Sequence, residues 1–175
     1  MKKVLIIETN VNRYKGTDEA TGLWLGESAE FIDELQKCNI DYDVISPKGG
    51  LVPLDPRSMK YIDSSIWNIY ESSDFADRAI RNTMRPEDIN PKDYVAIYFT
   101  GGHGVMWDFP DNEKIQAIAR VIYNDGGYLT SVYHGIAGLL NIKDENGKYL
   151  ISGKKLQGSQ LLRKELLARE LFFLF

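Results

Sequence analysis

Cysteine is nearly absent: Cys38 is the single one among 175 residues. One thiol excludes an internal disulfide and a cysteine zinc site. Histidine is almost as scarce, and His103 and His134 alone offer no histidine-based metal centre, so neither a metal nor a cofactor is expected. A basic surplus is also missing. Lys and Arg number 21 against 25 Asp and Glu, giving a formal net charge of −4 and a pI near 5.3. Phosphate backbones select the opposite balance, which excludes nucleic acid as the main partner. No apolar run approaches the roughly 18 residues of a membrane span, so no membrane association is expected. The opening MKKVLIIETN carries two lysines and an apolar run, but the run is short and meets Glu8 and Asn10 at once, unlike a signal peptide. A cytoplasmic location is the expectation. Internal repeats and low-complexity segments are lacking as well. What is present is an ordinary globular composition, 43% hydrophobic and 26% charged, in a length that suits one domain with a real core.

Strand and helix patterns alternate along the chain. Val4 to Ile7 is an unbroken, β-branched run, the mark of a strand buried on both faces. Residues 22–37 carry Leu23, Leu25, Ala29, Phe31, Ile32 and Leu35, much of whose spacing suits one helical face. IDYDVISPKGG reads as a strand ended by a turn, and LVPLDPRSM, with two prolines, as a loop. Residues 64–84 read as one helix, Tyr94 to Thr100 as a buried strand, and 111–123 as a helix started by Asp111 or Asn112. GGYLTSVYHGIAGLL reads as buried strand, sharp turn and helix, and Asn146-Gly147 as a hairpin turn. This alternation implies an α/β fold with a mainly parallel sheet between two helical layers, whose ligands sit at the carboxyl ends of the strands.

Two turns stand at such ends. SVYHGIAGLL has the form of a nucleophile elbow, in which one residue occupies a strained turn between a strand and a helix. The tip residue is Tyr133, and a phenol is a poor nucleophile; an ordinary turn with Tyr133 as a packing residue fits the spacing equally well. FTGGHG places Gly101, Gly102 and Gly104 after a strand, where backbone amides can approach a ligand oxygen as in an oxyanion hole, or simply form a loop. Glu27, early in the first helix, could reach the carboxyl end of the first strand, although most helical glutamates are merely solvated. Cys38, near a helix end, has no histidine or acid spaced to pair with it.

Taken together, KVLIIETN, TGLWLGES, YDVISPKGG, PLDP, YVAIYFTGGHGVMWDFPDN and SVYHGIAGLL resemble the ThiJ/PfpI superfamily, in its branch of glutathione-independent glyoxalases (glyoxalase III) and heat-shock holdase chaperones. The resemblance runs from Lys2 to about Lys155. It implies a flavodoxin-like three-layer sandwich, similar to class I glutamine amidotransferases, and a homodimer. In the family a Cys-His pair on the elbow, assisted by a helix glutamate, converts the small aldehyde methylglyoxal to lactate; deglycation and holdase activities are also ascribed to it, and intracellular protease or amidase designations travel with the fold. The carry-over makes Glu27 the helix glutamate, His134 the elbow histidine, and Gly101 and Gly102 the oxyanion pocket. Tyr133 stands where the family has its thiol, with a ring expected to fill the pocket and to point toward Glu27.

The resemblance covers residues 1–158; 159–175 read as a non-family, helical tail, and the family's usual C-terminal part is expected to be missing. Codons for the stretch after Lys155 can be chosen so that restoring one base gives the family's own continuation, which makes a frameshift the expectation and puts Lys164 where the family has the carboxylate that orients the histidine. A catalytically dead or impaired relative is therefore expected, with a non-enzymatic holdase or dimeric binding module as the alternative. A third option is residual acid–base chemistry by His134 and Glu27.

Overall fold

The computed structural model describes residues 2–156. Four strands, β1 (Lys3–Ile7), β2 (Tyr42–Ile45), β3 (Tyr94–Phe99) and β4 (Tyr128–Ser131), form one parallel sheet in the order β2-β1-β3-β4. Ile6 pairs with Val44 on one side and Tyr98 on the other, and Tyr98 pairs in turn with Thr130. The unbroken apolar run of β1 follows from its central place, since alternate side chains enter different cores. Leu5 and Ile7 face a cluster with Ile97, Phe99, Ile115 and Ile122, while Val4 and Ile6 face Ala29, Ile32 and Phe75.

The helices supply the outer layers. Helix α1 (Leu25–Lys37) buries Leu25, Ala29 and Ile32, one face at helical spacing. On the other face, α5 (Glu113–Asn124) buries Ile115, Ile118, Ala119 and Ile122. The Asn112 side chain caps it by accepting the Ile115 amide at 3.0 Å, satisfying a donor the first turn leaves over. Between β2 and β3 run α2 (Ser64–Glu71) and α3 (Ser73–Phe75), and α4 (Val105–Asp108) follows β3. Chain order reverses between β1 and β3, so a crevice opens above their carboxyl ends. That is where Glu8 and Gly101–Gly104 lie.

Three expectations are corrected. Residues 64–84 are not one helix: Ser72 breaks it with ψ 137, and its side chain caps α3, which runs on into π-helical turns at Ala76–Arg81. Serine hydroxyls compete with helical hydrogen bonds in this way. The first helix begins at Leu25 rather than at 22, because Trp24 is extended. Strand β4, expected to be buried, is an edge among the described residues, with Tyr128 68% exposed. Asn146-Gly147 does form a turn: Gly147 has φ +78 and its amide donates to the Asp144 carbonyl at 3.0 Å. The expected tail at 159–175, with Lys164, lies outside the described residues.

The turn after β4 is pressed onto β3. A Cβ at Gly135 would strike the Phe99 carbonyl, and one at Gly138 the Phe99 ring. Gly135→Ala is therefore expected to cost about 3 kcal/mol, as overpacking against backbone does. Gly26→Ala, in α1 with its nearest neighbour at 3.4 Å, is expected to gain up to about 1 kcal/mol. Urea unfolding of the two variants checks both signs.

Candidate functional site

The elbow is present in the backbone. Tyr133 has φ +44, and Asn39 is the other non-glycine residue with positive φ among the described residues. Asparagine tolerates that region, whereas an aromatic residue there costs on the order of 1–3 kcal/mol. The strain is imposed from both sides: the Val132 amide donates to Phe99 at 3.1 Å and the Gly135 amide to Val132 at 2.7 Å. The residues that follow, Tyr133–Leu139, form a 3-10 turn rather than an α-helix. The sequence expectation that the tyrosine ring fills the pocket is not met, because the ring stays largely in solvent. Tyr133 is 60% exposed, and its ring stands edge-on to His134 at 4.4 Å.

Glu27 sits in the first turn of α1, its carboxyl against Gly101. It meets the end of β3; its neighbour Ser28 meets the end of β1. Burial pushes the Glu27 carboxyl up to about 7, the Gly101 amide pulling it back only in part. Its Oε2 is buried without a hydrogen-bond partner. Gly102 has φ +99, and a Cβ there would collide with the Gly22 carbonyl and Trp24, so only glycine fits this close approach. His134 is buried, and its ring lies 4.3 Å from that of His103. Burial and the neighbouring His103 push it down to about 4, so it is a neutral base at pH 7. A carboxyl that titrates near neutrality, a neutral base and backbone amides are thus gathered at one crevice, without a thiol: Cys38 caps the far end of α1. Among the described residues no group of three or more His, Cys, Asp or Glu could hold a metal, and no helix is long and apolar enough to cross a membrane.

Several residues escaped the reading of the sequence. Glu8 is wholly buried and accepts from the Ser28 hydroxyl at 2.5 Å, its other oxygen unpartnered. Burial pushes it up to about 8. Asp108 accepts the Thr9 hydroxyl at 2.9 Å and the Asn10 amide at 2.8 Å, and burial pushes it up to about 6. An acid placed directly after a buried apolar strand was the signal for Glu8. His103, inside the glycine turn, has a buried Nδ1 without a partner.

These acids give folding a pH dependence. A carboxyl whose folded pKa is raised stabilises fully below its unfolded value, and that contribution is lost as pH rises through the folded value. The depressed histidines act oppositely, but only below about 6.5, their unfolded value. Stability is therefore expected to fall between pH 6.5 and 8, through Glu27 up to about 7 and Glu8 up to about 8. Glu8→Gln should flatten the part above pH 7, as urea midpoints at stepped pH will show.

No family model matches the chain. Glyoxalase 3 of Candida albicans is 29% identical over 164 residues, which span 90% of this chain and 69% of that protein. A glutathione-independent glyoxalase of Saccharomyces cerevisiae is 28% identical over 165 residues, 90% of this chain and 68% of that protein. Among solved structures, the Rapid Encystment Protein 24 KDa of Francisella tularensis superposes with a TM-score of 0.87 at 34% identity, over 95% of this chain and 74% of that one. Glyoxalase III from Candida albicans gives 0.80 at 25% identity, over 98% and 76%. A ThiJ/PfpI domain protein from Brachyspira murdochii shares the fold at a TM-score of 0.62. The motif set, the parallel sheet with its elbow and these likenesses together place the chain in the ThiJ/PfpI superfamily, in its glutathione-independent glyoxalase branch.

Proposed function

We propose that this chain is a glyoxalase-branch protein without appreciable turnover. The observation that carries the reading is the phenol at the left-handed elbow position, φ +44, where the family's chemistry needs a thiol. A thiolate adds to an aldehyde carbonyl, while a phenol is a far weaker nucleophile without a strong base beside it. His134, held neutral by burial, could accept a proton and Glu27 could give one, but neither forms the covalent intermediate. Glu27, Tyr133, His134, Gly101 and Gly102 are accordingly assigned as the remnant of a small-aldehyde site.

A second reading, a holdase or a homodimeric binding module, is favoured by exposed apolar side chains. Tyr61 and Leu51 are about two-thirds exposed, and Tyr61 rests on Trp24 with ring centres 5.6 Å apart. Suppression of aggregation of a thermally unfolding client protein, without turnover, is its expected signature.

Lactate formation from methylglyoxal by the native chain is expected to stay at the buffer rate. Tyr133→Cys should restore little, because among the described residues no carboxylate holds His134, and groups acting on one step do not add independently. Fast methylglyoxal consumption by the native chain would overturn the reading.

A further inference from the structure

Tyr14 is held beside the elbow by an arrangement that core packing does not require. Its ring lies 5.5 Å from His103 and stands edge-on to Trp107 at 5.6 Å, and His103 in turn contacts His134 at 4.3 Å. Arg57 lies over the third side, 5.0 Å from the ring centre, and donates Nη2 to the Tyr14 hydroxyl. Arg57 cannot swing away. Its Nε and Nη2 grip the two oxygens of Asp55 at 2.9 and 2.5 Å, and that carboxylate, completely buried, also accepts from Thr21 at 3.0 Å. Burying a charged carboxylate is expensive unless every lone pair is used, and here they are used to fix one guanidinium at the mouth of the crevice.

The consequence falls on the phenol. Its oxygen already accepts from Arg57, so its own proton is left to donate to solvent or to a ligand. Tyr14 is half-buried, so a ligand can reach it. Arg57 is balanced by Asp55, with Glu19 a further 3.4 Å from Nη1, which leaves no free cation to attract a carboxylate. Trp107, 39% exposed, offers a face for carbon atoms.

We propose that Tyr14 is a ligand-binding residue of the elbow site, its Arg57-set hydroxyl donating to an oxygen of a small neutral carbonyl or hydroxycarbonyl compound that lies against Trp107 and His103. The proposal rests on the assignment of the crevice as a small-carbonyl site but not on its being silent.

The test is a titration with hydroxyacetone, a stable neutral hydroxyketone, followed by NMR of the two histidine rings, the only two in the chain. Both should shift saturably in the native protein. Tyr14→Phe should raise the dissociation constant about three- to ten-fold, the worth of one hydrogen bond to a neutral acceptor. Arg57→Gln, which keeps the phenol but frees its orientation, should weaken binding in the same direction and serves if Tyr14→Phe does not fold. Saturable shifts with equal dissociation constants in native and variant proteins, or no saturable shift in the native protein, would overturn the proposal. Turnover of methylglyoxal would instead overturn the silent reading and leave this result standing.

Discussion

The contact on which the rest of the site depends is the one between Gly135 and the Phe99 carbonyl. It brings the turn after β4 so close to the end of β3 that no side chain fits between them. The Val132 and Gly135 amides then close the turn, and Tyr133 has no backbone conformation left except the left-handed one. The strain at position 133 is thus a product of the sheet and not of the residue that occupies it. Interior packing around Phe99, Phe109 and Ile136 is strong enough to hold it.

The electrostatics of the crevice follow from the same packing. Carboxyls and imidazoles are drawn out of water at the ends of β1 and β3, and each takes the uncharged form. Glu8 and Glu27 keep their protons to about 8 and 7, while His134 stays unprotonated down to about 4. Near pH 7 the floor therefore carries less charge than the same groups would in water, with the Asp55–Arg57 ion pair fixed beside it. Such a surface suits a neutral ligand better than an anion.

Much of this was legible in the sequence where a single element carries the signal. The run at Val4–Ile7 and the spacing of Ile115, Ile118 and Ile122 state strand and helix outright, and the glycines at 101, 102 and 135 mark the two turns. Ser72 was not legible, because a serine inside an apolar period is a break only when its hydroxyl finds a backbone amide. Nor was the exposure of the Tyr133 ring, which depends on how the turn after β4 packs and not on the residues beside it in sequence. The grouping of Tyr14, Arg57 and His103 joins residues far apart in sequence, and only the fold brings them together. Glu8 was hidden differently: an acid after a strand reads as a strand end, and only burial makes it a proton-holding group.

The central claim is that the fold imposes the elbow at position 133 whatever side chain stands there. The stability of Tyr133→Gly tests it most directly. Glycine adopts positive φ without penalty, and the tyrosine side chain, 60% exposed, contributes little burial. The account predicts that Tyr133→Gly unfolds at a higher urea concentration than the native chain, by about 1 kcal/mol in stability. An equal or lower stability would mean that the tyrosine is a packing residue in a relaxed turn, and would contradict the account.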